Sequence, residues 1–320
     1  MTRTRLAVVI LWAGVTAIGA GVACGQEYPN KPVRIITGAA GGGGDFDARI
    51  IAQGISGPLG QSVVVDNRAN TIVAADAAAK SPPDGYTLFI GGSSTWIFPL
   101  LQKAPYDPVR DFAPISLIER TVSVVAVHPS IPAKSVKELI ALAKARPGEL
   151  NYSSAAVGGP AHIAGELFKS MAGVKIVNVV YKSNPPAITA LISGEVQLTI
   201  IDVGSVAPHI KTGKLRALAV TSAEPSVLVP GMPTVSASGL PGYEAIGMAG
   251  FFAPAKTPTA AITRISQEAM RVLGRADVKE KLLNAGVEVI GSSPEQFAAT
   301  LKADIAATAK VIKDAGIRVE

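Results

Sequence analysis

Two glycine-rich segments of the chain have the composition of backbone anion-binding loops. The first, residues 41–44, precedes Asp45 and a helical pattern, and the second holds Gly158 and Gly159 just before Pro160. The first N–H groups of a helix lack intrahelical partners, the helix dipole favours an anion there, and glycine leaves room for the anion to approach. Two such termini facing each other across a cleft would grip a carboxylate. The alternative is that both segments are ordinary strand-to-helix turns.

The elements around these loops alternate between short β-rich runs and helical patterns, which predicts an α/β fold with mostly parallel strands. The predicted strands are residues 33–36, 62–65, 86–90, 123–127 and 150–154. Ser135 and Ser293 begin helices with the form of a capping box, and Gly316 ends the last one. The strand–glycine loop–helix unit occurs twice, so we expect two lobes rather than a row of separate domains.

The N-terminal segment has the order of a secretory signal peptide. Arg3 and Arg5 precede an uncharged apolar run at residues 6–23, and small residues then lead to Gln26. We therefore predict a signal peptide at residues 1–25 and an exported mature protein, either secreted or periplasmic. A retained membrane anchor and a lipoprotein acylated at Cys24 are the alternatives.

The charge pattern argues against nucleic acid as a partner. The formal net charge is +6, but lysine and arginine are scattered among acids, without a basic run or an aromatic ladder. The single cysteine, Cys24, leaves with the signal peptide or carries a lipid, so we expect no disulfide. With 48% hydrophobic residues, the remaining chain can build two modest cores.

Nucleotide binding is the first enzymatic alternative, and its fingerprint is broken. A strand, a glycine turn, a helix and Asp66 imitate a dinucleotide fold, but Phe46 stands where the third glycine belongs. The chain has no Gly-Lys-Ser/Thr phosphate loop either. We therefore expect neither a nucleotide nor any other cofactor.

The chain contains none of the sequence motifs expected of a hydrolase or a metalloenzyme. There is no Gly-x-Ser-x-Gly elbow, no His-Glu-x-x-His and no cysteine pair. Of the three histidines, His128 follows a strand and His209 is near a helix end. His162 falls in the first turn after the second glycine loop. It either lines the site or makes its hydrogen bonds with nearby residues only. We predict no catalytic set and no metal site.

Asp45 has two open interpretations. A carboxylate directly after the glycines fits a helix N-cap, and it also fits a direct contact with ligand.

Over nearly all of the predicted mature chain, the sequence resembles the periplasmic solute receptors of tripartite tricarboxylate transporters, the Bug family. The matching motifs are YPNKPVR at 28–34, GGGGD at 41–45 with Ala48 and Arg49, PDGYTL at 83–88, YDPVRDFAPI at 106–115, LNY at 150–152, GELF at 165–168, YK at 181–182, GKLRALAVT at 213–221, and Pro230, Pro233 and Thr234.

This resemblance implies a two-lobed fold of the type II Venus-flytrap kind, which closes on a small organic acid and delivers it to two integral-membrane subunits. It implies a binding protein rather than an enzyme. The ligand-binding residues it implies are Gly42, Gly43, Gly44, Asp45, Ser94, Thr95, Ser154, Gly158, Gly159, His162, Tyr181 and Asp202, and we add Trp96 from its position beside them.

The chain departs from the family pattern in the loops. Residues 37–40 are not Pro-rich, Gly44 and Gly159 stand where hydroxyl residues are usual, and Ala156 and Ser183 replace usual glycines. Losing two hydroxyls removes donors and makes room.

Three aromatic residues, Phe46, Trp96 and Phe98, lie near the loops in sequence and either form an apolar wall or belong to the core. The hypothesis that follows is a ligand bulkier or less polar than a C4 acid, such as an aromatic or longer dicarboxylate.

The expected lobes are residues 26–122 with 241–320, and residues 123–240. Strands near 123–127 and 247–252 would be the hinge crossings of a monomer. We expect a β-branched residue at Gly43 or Gly158 to abolish binding and leave the fold largely intact. Two rivals remain: a receptor that feeds a sensor or scavenges alone, and a cytoplasmic dehydrogenase.

Overall fold

A computed structural model describes residues 28–155 and 158–317 of the chain. The predicted signal peptide, Cys24 and Ala156 lie outside these residues. The strands are β1 Val33–Thr37, β2 Val63–Asn67, β3 Thr87–Gly92, β4 Phe112–Val127, β5 Asn151–Ser154, β6 Val177–Val180, β7 Leu198–Asp202, β8 Arg216–Val220, β9 Ile246–Pro254 and β10 Glu288–Val289. The helices are α1 Gly43–Leu59, α2 Thr71–Ala79, α3 Ser94–Leu101, α4 Val136–Ala145, α5 Pro160–Ala172, α6 Asn184–Ser193, α7 Val203–Lys211, α8 Thr259–Leu273, α9 Ala276–Asn284 and α10 Pro294–Ala315.

The strand β4 belongs to two sheets. Its first part, up to Val122, pairs antiparallel with β9, and its last part, from Ser123, pairs antiparallel with β7 and β8. The first sheet has the order β2-β1-β3-β9-β4, with β10 also on β4, and the second continues from β4 through β7 and β5 to β6. The chain therefore folds as two lobes joined through continuous strands.

Both sheets mix parallel and antiparallel pairs. The predicted parallel pairs are present between β1 and its neighbours β2 and β3, and between β5 and its neighbours β6 and β7. The antiparallel pairs all involve the long strand β4 or its partner β9. They arise because the chain must cross between the lobes and return.

Each sheet has hydrophobic clusters on both faces, as expected for a sheet covered by helices. In the first lobe, α1 and α8 cover one face around Ile51 and Ile265, and α2, α3 and α10 cover the other around Trp96 and Phe297. In the second lobe, α4 and α5 bury Phe168 against one face, and the other face has its own cluster with α6 and α7.

The helix ends follow the local sequence. Ser293 forms a complete capping box with Gln296, and Gly316 ends α10 in the left-handed conformation, both as predicted. The Ser135 side chain accepts from the Glu138 N–H at the start of α4, but the Glu138 carboxylate accepts from the Lys134 N–H, so that only half of the predicted capping box forms there. Among the described residues, no helix combines the length and the apolar character needed to cross a membrane.

Candidate functional site

The topology brings four helix N-termini to one cleft. Two antiparallel steps, β3 to β9 and β9 to β4, make β4 parallel to β1 and β3, so all three run toward the second lobe. In that lobe β7 runs opposite to β4 and β5 runs parallel to β7, so both point back toward the first lobe. The carboxyl ends of β1, β3, β5 and β7 therefore face each other across the gap, where ligands of α/β folds bind.

Three of the helices at this cleft begin without a side-chain cap. The N-cap residues are Gly42 for α1, Ser93 for α3 and Gly159 for α5, and none makes a side-chain cap hydrogen bond. Most of their first-turn N–H groups are consequently left for a ligand or water. The first turn of α1 offers the most, because Pro160 of α5 has no N–H and the Trp96 N–H of α3 donates to the Ser93 carbonyl at 3.1 Å. This is the arrangement that the two glycine segments predicted.

The first loop is fixed by Asp45, which is not the N-cap. It is the third residue of α1, and one carboxylate oxygen accepts from the Gly41 N–H at 2.9 Å and from Arg49 Nε at 3.0 Å. The other oxygen accepts from Asn67 Nδ2 at 2.9 Å. The hydrogen bond with Arg49, aided by those from Gly41 and Asn67, lowers the pKa of Asp45 to about 2. The N-cap expectation was wrong because a glycine already starts the helix and Asp45 folds back over it.

The glycines of the first loop face different surroundings. A Cβ built on Gly43 meets no atom within 4 Å, so this residue borders open space. A Cβ on Gly44 would lie 2.7 Å from Thr37 Oγ1, so Gly44 lies against β1. A ligand can therefore approach the backbone at Gly43, whereas the missing side chain of Gly44 lets α1 pack closely against β1.

The second loop is fixed by His162. Gly158 has a left-handed backbone (φ 74°) and its N–H donates to His162 Nδ1 at 2.8 Å. Burial lowers the pKa of His162, which keeps the imidazole neutral and its Nδ1 free to accept. A Cβ on Gly158 would lie 2.3 Å from Leu101 Cδ1 of α3, so this loop touches the first lobe. A β-branched residue at Gly158 would be strained by the left-handed backbone and would displace the Leu101 side chain, so that the expected intact fold stays a prediction.

The predicted residues of α3 divide between cleft and core. Ser94 is exposed, but Thr95 is buried, and its Oγ1 has no hydrogen-bond partner among the described residues. Trp96 is fully buried against Phe252 and Phe297, and its Nε1 donates to Asp304. Trp96 as a wall of the cleft is thus corrected to a core residue.

Three further predicted residues already have side-chain partners. Ser154 Oγ donates to Asn178 at 2.9 Å, and the Tyr181 hydroxyl donates to Glu195 at 2.9 Å. Asp202 caps α7 by accepting from the Ser205 N–H at 2.8 Å and from its hydroxyl at 2.9 Å. These side chains organise the second lobe's loops, and their contacts leave the backbone as the main open donor.

Sequence reasoning missed Asn67 and Leu101. Asn67, the last residue of β2, donates to both Asp45 and the Gly38 carbonyl. A polar residue at the carboxyl end of a strand beside the glycine loop was a usable signal. Leu101 had none, because its contact with Gly158 depends on how the lobes pack.

A cavity of about 590 Å³ lies beside these loops, and none of the predicted site residues lines it. Within the described ranges, no group of three or more histidine, cysteine, aspartate or glutamate side chains is placed to hold a metal ion.

Comparison with known proteins identifies relatives of this chain over most of its length. A family model described as "Tripartite tricarboxylate transporter family receptor" matches residues 47–317. Protein BugT of Bordetella pertussis is 32% identical over 329 aligned residues and covers all of both chains. The solved structure of R. palustris Rpa4515 with adipate is 37% identical, with a TM-score of 0.75, over 91% of this chain and 99% of that one. MatC from Rhodopseudomonas palustris with bound malate is 26% identical, with a TM-score of 0.71, over 89% of this chain and all of that one.

Proposed function

Because the chain belongs to the tripartite tricarboxylate transporter receptor family, we propose that it captures a small organic acid between its lobes for a membrane transporter. Proteins of this family are periplasmic solute-binding receptors, and the alternatives of a sensor or a dehydrogenase gain no support from the relatives. The observation that carries the proposal is the pair of uncapped helix N-termini, α1 and α5, which start from opposed strand ends.

The class of ligand follows from having donors on both lobes. The related structures hold adipate and malate, and each of these acids has a carboxylate at both ends. We propose a dicarboxylate here, with one carboxylate at the α1 terminus beside Gly43 and the other at the α5 terminus beside Gly159. Neutral N–H donors suit a ligand that must later be released, since they bind an anion without a fixed countercharge.

We also propose that the ligand is longer than a C4 acid, although fewer residues support this than the sequence suggested. Gly159 supplies no hydroxyl, and Phe46 is 39% exposed next to the first loop. Gly44 lies against Thr37 and does not add space for a ligand. Trp96 no longer supports the idea because it is buried. An acid with several methylene groups or a ring between its carboxylates would fill this space with apolar surface.

The lobe boundaries are also proposed. Pairing of β4 changes at Val122 and Ser123, which supports a crossing there. Tyr243 packs in the core of the second lobe, so we propose that the chain returns to the first lobe at Ile246, not at residue 241. Ligand contact with both lobes would stabilise the closed form of this hinge.

The family and the N-terminal segment are the basis for proposals on the protein's location and partners. We propose export by a signal peptide at residues 1–25, a monomeric mature receptor, and delivery of the acid to two integral-membrane subunits.

A thermal-shift screen of residues 26–320 tests the binding function. The panel is malate, succinate, adipate, pimelate and terephthalate, with adipamide as the uncharged match of adipate. A ligand at about a hundred times its Kd adds about 2.7 kcal/mol to stability. We expect adipate or a longer acid to raise the Tm most, and no rise with adipamide. A shift from adipamide equal to that from adipate would contradict carboxylate recognition, and a larger shift from malate would contradict only the longer ligand.

A further inference from the structure

The cavity beside the glycine loops is bounded by both lobes. The second lobe contributes Ile163, Leu167 and Met171 from α5, and the first lobe contributes Thr308 and Val311 from α10. Gly242 and residues 244–248, where the chain returns between the lobes, also line it. Its volume of about 590 Å³ falls in the range of small-molecule sites.

The surface of this cavity is mostly apolar but its charged groups are unbalanced. Three acids, Glu244, Asp304 and Asp314, line it with one base, Lys310. Lys310 is already paired with Asp314 at 2.5 Å. In the part of the chain that the structure describes, no lysine, arginine or histidine forms an ion pair with Glu244 or Asp304.

Asp304 lies at the inner wall of the cavity. Its carboxylate accepts from Trp96 Nε1 at 2.5 Å, which fixes its orientation. Burial raises the pKa of Asp304 and the negative charge of Glu244 raises it further, while the Trp96 bond opposes both. The carboxylates of Asp304 and Glu244 therefore give the site negative potential next to apolar walls, because the one lining base, Lys310, is paired with Asp314.

We propose that this cavity is a second binding site, which takes a small organic cation with an apolar body. The ammonium group would lie between Asp304 and Glu244, and the hydrocarbon part would pack against Ile163, Leu167 and Ile97. The cavity adjoins the carboxylate cleft at Ser93 and Pro160, the starts of α3 and α5, but none of the loop glycines lines it and its charge preference is the opposite one. An occupant touches α5 and α10 together, so it links the two lobes.

Trp96 makes the proposal measurable. It is the only tryptophan in residues 26–320, because the other, Trp12, lies in the predicted signal peptide. Since its Nε1 bonds to Asp304, a cation at Asp304 changes the surroundings of this indole. The experiment is a fluorescence titration of residues 26–320 with 2-phenylethylamine, with 2-phenylethanol as the neutral match.

Two variants locate the site and one controls for charge. Asp304→Asn keeps an acceptor for Trp96 and removes the charge, while Ala303→Phe, on an exposed position of α10 at the cavity wall, fills the space. Glu280→Gln removes a carboxylate from an exposed position on α9, away from the cavity. Melting curves check that each variant is folded.

We expect saturable binding of 2-phenylethylamine that weakens at least about tenfold, or about 1.4 kcal/mol, in Asp304→Asn and in Ala303→Phe. Glu280→Gln should match the parent chain, and 2-phenylethanol should bind at least about tenfold more weakly than the amine. The inference is overturned if the amine gives no saturable change, if folded Asp304→Asn and Ala303→Phe both keep the parent affinity, or if the alcohol binds as tightly.

Discussion

The backbone N–H of Gly158 donates a 2.8 Å hydrogen bond to Nδ1 of His162, four residues further along the chain. The first lobe has the same link, from the Gly41 N–H to the Asp45 carboxylate at 2.9 Å. In both loops the glycine has a left-handed backbone, and the accepting side chain lies in the first turn of the following helix. Each loop is therefore held in place by its own helix before a ligand arrives, which reduces the entropy lost on binding.

Gly43→Leu tests whether bare backbone binds the acid. The Leu side chain would project into open space over the start of α1, so we expect a loss of carboxylate affinity of about tenfold or more with the fold unchanged. Gly57→Leu is the matched control, because Gly57 lies in the same helix and its Cβ also meets no atom within 4 Å. Calorimetry with the best acid of the screen makes the measurement. Equal affinities of the two folded variants would show that Gly43 is only part of a turn.

His162→Ala tests the clamp of the second loop. Loss of the acceptor for the Gly158 N–H should lower the free energy of unfolding by about 1 kcal/mol at neutral pH. Because folding lowers the pKa of His162, the folded state binds fewer protons than the unfolded state just below the ordinary histidine value of about 6.5. The clamp's contribution is complete above that value and is lost as the pH falls toward the lowered pKa.

Urea unfolding at several pH values checks this. The difference in free energy of unfolding between the parent chain and His162→Ala should shrink as the pH falls below about 6.5. Asn70→Ala is the control, because it removes a side chain that accepts from the Val73 N–H and does not titrate, so that its effect should not change with pH in this way. A difference that stays constant with pH would assign His162 a packing role alone.

Gly158→Ala should destabilise the chain for two separable reasons. A left-handed alanine costs about 1–2 kcal/mol, and its Cβ would also lie 2.3 Å from Leu101 Cδ1. Gly173→Ala isolates the first cost, because Gly173 is left-handed with no atom within 4 Å of its Cβ. We expect chemical denaturation to show a larger loss for Gly158→Ala than for Gly173→Ala. In the double variant with Leu101→Ala, the part of the stability loss that exceeds the loss in Gly173→Ala should disappear. If the free-energy losses of Gly158→Ala and Leu101→Ala simply add in the double variant, the two residues are not in contact.

Asp47 of α1 and Glu119 of β4 form a buried acid pair in the first lobe. Burial raises the pKa of both, and the charge of Asp47 raises that of Glu119 further. Glu119 Oε2 has no hydrogen-bond partner among the described residues. With raised pKa values the folded state binds more protons than the unfolded state above about pH 4, so the pair's contribution to stability falls as the pH rises through the raised values.

Glu119→Gln should remove most of this dependence. The variant should be more stable than the parent chain at about pH 8, by about 1 kcal/mol or more, because an isosteric amide replaces a buried charge beside Asp47. The difference in stability between Glu119→Gln and the parent chain should shrink toward about pH 5, where Asp47 and Glu119 are both protonated in the folded state. Glu280→Gln, exposed on α9, serves as the control. A Glu119→Gln variant that is less stable at about pH 8 would show that the Glu119 carboxylate has a stabilising partner.

The sequence predicted elements better than side-chain roles. The five strands predicted from alternation, the capping box at Ser293 and the two glycine loops are all present, because they depend on local pattern and backbone conformation. For Asp45 the same local rules left an N-cap and a ligand contact open. The N-cap interpretation was wrong because Gly42 is the N-cap of α1, and the Asp45 carboxylate instead accepts from Gly41, Arg49 and Asn67.

By itself, the sequence determined the α/β alternation, the family and the presence of two glycine-rich segments before helices, since these depend on residue types at fixed spacing. Only the tertiary structure decided that the loops face each other, because this follows from β4 crossing into a second sheet at Ser123. It also decided that Trp96 belongs to the core and that Gly158 rests on Leu101. Contacts between residues far apart in sequence depend on how sheets and lobes pack, and no local pattern encodes that packing.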